Sequence, residues 1–356
     1  MKIRRIVIAL AGLALLAGPC AAQEEDLPLG LPAVSFELQG VKFYGVGLRF
    51  LFNEVPGLMD ARLSPLLEVG GGRWSEYLFR RSDGSEWVPA LDDTELSLAA
   101  YPVWDGQAGL GLYARLRESL LGLNLGLYGV YRFEYSVAAE DAAGTIAADE
   151  GLAELDGLFS HQFVAGFQAR KVELRRLNQV RSGWLAEISL TGGMADPGDF
   201  WGKAGGRFDA FLPIVDGRSI GLYAGARILA EYLAGDGAPA REYQRFGGYD
   251  PVTGLGSGLR GTAPGRFDGR FRALANLDLR LSFPGLAGYY VFPGLIAFAD
   301  AGVSDERSSD LLSSGVQGSV GAGFWAHMFG FDLVLTYAWH INEERPSLGF
   351  GMGLAF

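Results

Sequence analysis

Apolar and polar side chains alternate with a period of two along most of this chain, and the last residues show it most plainly. Leu348, Phe350, Met352, Leu354 and Phe356 alternate with Gly349, Gly351, Gly353 and Ala355. In an extended strand this makes one face apolar and leaves the other as almost bare backbone. The same period recurs upstream. In 121–135, Leu121, Leu123, Leu125, Leu127, Tyr131, Phe133 and Tyr135 share a face opposite Asn124, Tyr128, Arg132 and Glu134. In 200–212, Phe200, Phe208 and Leu212 oppose Lys203, Arg207 and Asp209. In 220–232, Ile220, Leu222, Ala224, Ala226, Ile228 and Tyr232 oppose Tyr223, Arg227 and Glu231. In 271–283, Phe271, Leu277, Leu279, Leu281 and Phe283 oppose Arg272, Asn276, Asp278 and Arg280.

Charges at alternate positions of long strands separate two all-β architectures. A soluble sandwich turns its polar face to water and its apolar face to a second sheet. A membrane barrel turns its apolar face to lipid and its charges to the lumen. Strands of this length, the terminal aromatic, the 53 glycines and the 12% aromatic content fit the second. The expected fold is a transmembrane antiparallel β-barrel of the bacterial outer membrane. Segments are expected near 41–52, 62–72, 94–104, 109–117, 121–135, 160–171, 181–194, 199–212, 218–232, 268–283, 290–303, 314–328, 330–340 and 347–356. A further hairpin around Ser82-Asp83-Gly84-Ser85 would raise the total from 14 strands to the preferred 16. An even count puts both termini on the periplasmic side. Glu118-Ser119, Ile214 to Gly217 and Met328 to Gly330 are then short periplasmic turns. The long connections 136–159 and 233–267 lie outside. The first carries Glu140, Asp141, Asp149, Glu150, Glu154 and Asp156 with no basic residue. It reads as a solvated acidic loop or as a cation-bridged contact with lipopolysaccharide.

The start of the chain reads as an export signal. Lys2, Arg4 and Arg5 precede the apolar run Ile6–Leu16, which is too short to span a bilayer as a helix. Gly18-Pro19-Cys20-Ala21-Ala22 offers small residues for cleavage after Ala22. The rival is a lipoprotein signal acylated on Cys20, which Pro19 disfavours. The expected organisation is a signal peptide over 1–22, a short periplasmic segment over 23–40 and the barrel over 41–356. Cleavage would remove the single Cys and take the net charge from −11 to −14. Such acidity argues against nucleic acid as a partner.

Short motifs in the last third add a family. Phe246-Gly247-Gly248 and Leu259-Arg260-Gly261 lie in the long loop. They are followed by Asp278-Leu279-Arg280-Leu281-Ser282-Phe283-Pro284, by Phe298-Ala299-Asp300-Ala301-Gly302, by the Gly-rich stretch Gly315–Gly323, and by Phe356. In this order they resemble the barrel of the bacterial surface-antigen superfamily, the family of BamA, TamA and FhaC. Thr262 stands where that family has an aromatic residue, and its Gly-Gly pair lies closer to the Arg. The resemblance implies a long external loop folded into the lumen, with Arg260 and Gly261 latched against Asp300, Phe298 and Asp278. The alternative is that Arg260 stays in a solvated loop while Asp300 pairs with Arg272 or Arg280. A closing strand with a terminal aromatic is what outer-membrane barrels present to their barrel assembly machinery, so Phe350, Met352, Leu354 and Phe356 are expected to form the insertion signal. Gln23 to the first strand leaves no room for the periplasmic POTRA domains of many members, so a barrel-only member is expected.

Candidate chemistry is sparse. His161, His327 and His340 are far apart, with no Cys or carboxylate at metal spacing. No metal, cofactor or catalytic residue is expected. A lipase-like set of His340, Ser347 and Asn342 is the nearest approach to an active site. It reads better as a polar strand end. Trp and Tyr near strand ends read as membrane-interface girdles. Two function classes remain. One is insertion, translocation or envelope biogenesis, with lipopolysaccharide and outer-membrane lipid as surroundings and a separate periplasmic protein as a possible partner. The other is a passive channel or a structural surface protein.

Overall fold

A computed structural model of the chain describes residues 35–42, 45–51, 55–56, 62–77, 100–116, 123–138, 157–175, 179–195, 199–235, 238, 242, 247, 258–262, 266–267, 269–286, 291–305, 315–328 and 331–354. The described elements are antiparallel strands: β1 (Ser35–Lys42), β2 (Gly45–Leu51), β3 (Val55–Pro56), β4 (Arg62–Tyr77), β5 (Ala100–Leu116), β6 (Asn124–Ala138), β7 (Leu158–Leu174), β8 (Arg181–Ala195), β9 (Asp199–Asp216), β10 (Gly221–Ala234), β11 (Phe271–Ser282), β12 (Val291–Asp305), β13 (Gln317–Met328), β14 (Phe331–His340) and β15 (Arg345–Leu354). Each pairs with the next in sequence, except that β2 pairs directly with β4 while the short β3 caps the start of β4. This is a meander, in which consecutive strands pair antiparallel along the sheet. β15 returns towards β1, but no ladder joins the two among the described residues. The barrel is open along that line.

The strand path redraws the expected segments. Among the described residues it holds fourteen strands, with β3 beside it. Segments 94–104 and 109–117 belong to one strand, the 17-residue β5. Trp104 to Gly109 continues in ladder with both β4 and β6. Asp105, Gly106 and Gln107, which fall between the two expected segments, sit within a continuous ladder. The expected segment 41–52 is also divided, because Lys42 pairs with Gly45 in a tight β1–β2 hairpin. β1 itself lies in the stretch expected to be a short N-terminal segment. Trp74 to Tyr77 extends β4, and the possible hairpin at 82–85 lies outside the described residues. So do the expected signal peptide at 1–22, its continuation to 34, and the acidic residues 140–156.

The two faces of the sheet differ as the alternation requires. Leu110, Leu112, Phe163, Phe167, Ile188, Leu190, Phe208, Ile228, Leu277, Phe324, Leu335 and Phe350 stand exposed on the outer face. The inner face buries Glu68, Gln162, Asp209, Arg227, Asn276, Asp278, Arg280, Asp300 and Thr336. A water-soluble protein buries the apolar set instead, so the molecule is built inside-out, as a lipid-facing barrel is. The turn 217–220 between β9 and β10 is short, whereas β6 and β7 are separated in sequence by 139–157 and β10 and β11 by 235–270.

The inner charges sit in pairs across the strands. Arg132 donates to Glu68 from Nε at 3.0 Å and Nη2 at 2.9 Å. Arg227 donates to both oxygens of Asp209 at 2.6 and 2.9 Å. Arg207 meets Glu187 at 3.0 Å, and Tyr128 donates to the same carboxylate at 2.8 Å. Arg272 pairs with Glu231. Each cation is matched by a carboxylate one or two strands away, which is the condition for holding charge in a confined space.

Candidate functional site

The long connection between β10 and β11 returns to the inner wall at residues 258–267. Leu259 and Phe267 pack there against Leu229 of β10 and Leu274 of β11, all four buried. Thr262 donates to the Leu259 carbonyl at 2.8 Å and closes a compact turn. Gly261 has φ +95°, and a Cβ there would lie 2.9 Å from the Ala338 side chain of β14. Both the backbone angle and the close approach require glycine.

This turn delivers Arg260 into the wall. Its side chain is 1% exposed. Nε donates to Asp300 Oδ2 at 2.7 Å and Nη2 to Oδ1 at 2.5 Å, a bidentate fork. The Arg260 backbone N–H adds a third bond to Oδ2 at 3.0 Å. Nη2 also lies 2.7 Å from Asp278 Oδ1. The guanidinium carbon stands 3.8 Å from the centre of the Phe298 ring, in cation–π geometry. Burial pulls the guanidinium down, but Asp278 and Asp300 outweigh it and hold the group above its ordinary value.

Strand register explains why these groups converge. Asn276 faces Asp300 and Asp278 faces Phe298 across the β11–β12 ladder. All four side chains are on the inner face, and the two carboxylates, one on each strand, stand diagonally across the ladder. Asn276 completes the site. Its amide donates to Asp300 Oδ1 at 2.9 Å and to the Gly258 carbonyl at 3.0 Å, tying wall and loop together. Arg280 donates to Asp278 Oδ2 from Nε at 3.2 Å and Nη2 at 3.0 Å. It stands 5.6 Å from the Trp325 ring. Arg260, Asp300, Asp278 and Arg280 therefore form an alternating buried ladder of two cations and two carboxylates.

The structure brings together Arg260, Gly261, Asp278, Phe298 and Asp300. The alternative partners for Asp300 are engaged elsewhere, Arg272 with Glu231 and Arg280 with Asp278. Three contacts were not expected from sequence. Asn276 was legible only as an inward polar residue. Arg266 donates to Glu343 of the β14–β15 turn at 2.9 Å, and Glu242 meets Gln162 of β7 and Lys203 of β9. The last two sit in a loop without periodicity, so no pattern marks them. Phe350 is exposed on the outer face of β15. Met352 and Leu354 pair through their backbones with Leu333 and Phe331. Their side chains, and Phe356, lie outside the described residues.

The lipase-like set does not assemble. His340 is buried and its Nδ1 accepts the Glu343 backbone N–H at 3.2 Å. Asn342 instead holds Gly318 N–H at 2.9 Å and the Val316 carbonyl at 3.0 Å. Ser347 is in register with Ala338, two residues from His340.

No family model matches the sequence, and no curated protein matches it. Among solved structures, the chain is similar to BamA from Haemophilus ducreyi lacking POTRA domains 1–3, at 13% identity and TM-score 0.49, covering 87% of this chain and 61% of that one. CdiB from Escherichia coli gives 13% identity and TM-score 0.49, covering 93% and 64%. CdiB from Acinetobacter baumannii gives 13% and 0.48, covering 91% and 59%. The chain thus spans between 59% and 64% of the length of these structures.

Proposed function

We propose that this chain is an outer-membrane β-barrel of the BamA, TamA and FhaC type. Its inner space is closed by its own returning loop, and it works in protein insertion, translocation or another step of envelope biogenesis rather than as an enzyme. The observation that carries the reading is the burial of Arg260 against Asp300, Asp278 and Phe298. Burying a guanidinium is costly unless it is fully paired. A loop that served only as a surface connection would leave its arginine in water. The exposed apolar outer face supports a lipid environment, and the ordered motifs around Arg260 and Asp300 support the family reading.

Single-channel recording tests the closure. Arg260→Ala leaves two inner carboxylates short of a cation, and breaking a buried pair in this way costs about 3–5 kcal/mol. The variant is expected to conduct more than the wild type and to lose residues 235–270 faster to added protease. Asp300→Ala is expected to do the same. Exchanging the two residues restores part of the wild-type behaviour. Wild-type conductance and proteolysis in both single variants would leave a passive channel as the better reading.

A further inference from the structure

The inner wall formed by β7, β8 and β9 holds a second occupied position. Glu242, from the same loop, is nine-tenths buried against β7 and β9. Gln162 of β7 donates from Nε2 to its Oε1 at 2.9 Å. Lys203 of β9 donates from Nζ to its Oε2 at 2.9 Å. One carboxylate thus bridges two strands that are not neighbours. The strand between them makes room for it. Gly193 of β8 pairs with Gln162 on one side and Trp201 on the other, and a Cβ at Gly193 would lie 2.1 Å from the Trp201 ring. The indole lies over bare backbone, as a floor between the two donors.

Several features mark this as a site for a carboxylate rather than a chance contact. Gln162 is itself buried and held, since the same amide donates to Glu134 Oε2 at 2.8 Å and approaches the Ser160 hydroxyl at 3.4 Å. Its position does not depend on Glu242. Trp201 is 4% exposed, and its indole N–H is buried without an acceptor, so an unused donor lies beside the two used ones. Glu242 is the carboxylate that Lys203 meets among the described residues. When Glu242 leaves, an ammonium, a primary amide and an indole N–H remain on a prearranged wall.

We infer that Gln162, Lys203 and Trp201 form a carboxylate-binding socket. The loop's own Glu242 fills it in the closed state, and an acidic side chain or free carboxylate fills it when the loop withdraws. The inference rests on the proposed closing loop and gives that loop a role as competitor for the ligand. Binding is a bimolecular counterpart of the contact seen here. The incoming oxygens replace Oε1 and Oε2 of Glu242, and no bond is made or broken.

Calorimetric titration of the full chain, refolded in detergent micelles, tests this without reference to conductance. Hexaglutamate and glutarate are the two probes, and hexalysine is the control. Glu242→Ala is expected to bind hexaglutamate about tenfold more tightly than the wild type, the scale of one charge-assisted hydrogen-bonded contact. Glu242→Gln, which keeps the shape of the loop, gives a smaller gain in the same direction. Adding Lys203→Met to Glu242→Ala returns affinity to the wild-type level. Binding of glutarate as well as the peptide points to free carboxylates as the source, and binding of the peptide alone points to an acidic polypeptide. Equal affinity in wild type and both Glu242 variants, or a gain that survives Lys203→Met, overturns the socket. Because the readout is affinity, it can fail while the Arg260 variants still open the pore, and the reverse.

Discussion

Around Arg260, individual atoms decide between a plug and a loose loop, and Gly261 is the most sensitive of them. Its φ of +95° is a conformation that a side chain strains, and Ala338 occupies the space a Cβ needs. Gly261→Ala is expected to destabilise the docked loop by about 1–3 kcal/mol. Limited proteolysis within 235–270 should be faster while the strands remain resistant; unchanged cleavage would remove the steric argument. Asp278→Asn makes a different test. It keeps the shape of the site but removes the charge that Arg260 and Arg280 both meet, and it is expected to speed proteolysis of 235–270 as Arg260→Ala does, though less. Because Asp278 and Asp300 hold the Arg260 guanidinium above its ordinary, already strongly basic range, its charge is fully present across the neutral and moderately alkaline range. Raising the pH from 7 to 10 should therefore not open the wild-type pore through this residue. An alkaline rise in conductance in that range would implicate another group.

The strands differ in how they are held. β6 is laddered on both sides, to β5 and β7, whereas among the described residues β15 is laddered to β14 alone. β15 also carries Gly349, Gly351 and Gly353, each weakening a strand by roughly 0.5–1 kcal/mol. Its amides are expected to exchange with deuterium faster than those of β6 in nanodiscs, and equal protection would argue for a sealed seam. The same elements show what a sequence reveals. Alternation marked β9, β10 and β11 with their faces correctly assigned, because Arg207, Asp209, Arg227, Asn276 and Asp278 punctuate apolar runs. It failed in β5, where Asp105, Gly106 and Gln107 imitate a turn, and it passed over β1. Parity placed Asp278, Phe298 and Asp300 on one wall. That Arg260 meets them, and that Asn276, Arg266 and Glu242 assist, depends on a loop path that no periodicity encodes.

The whole molecule is held in place by its outer face as much as by its ladders. Leu277 is exposed at the middle of β11, between Ala226 and Ala299 on the neighbouring strands. Leu277→Arg is expected to cost about 2–4 kcal/mol if this level lies at the bilayer centre. A urea titration of folding into lipid vesicles measures it. An arginine tolerated there within about 0.5 kcal/mol, as on a wetted surface, would place the apolar face outside a membrane. Removing Phe356 is expected to lower the yield of heat-modifiable, membrane-integrated protein in cells. Full yield without it would show that β15 is recognised by other residues.

The four-membered ladder at the plug has a consequence for the current such a pore would carry. With Arg260 in place, two guanidinium groups balance Asp278 and Asp300. Withdraw the loop and Arg280 alone is left to balance two carboxylates, while on β9 Lys203 loses its acid. Opening would then change the sign of the inner surface as well as its width, making one wall negative and the other positive. Potassium and chloride would travel along different strands, and a dipolar solute would turn as it passed. In asymmetric potassium chloride, the reversal potential of Arg260→Ala should shift towards the potassium value, and adding Asp300→Asn should move it back.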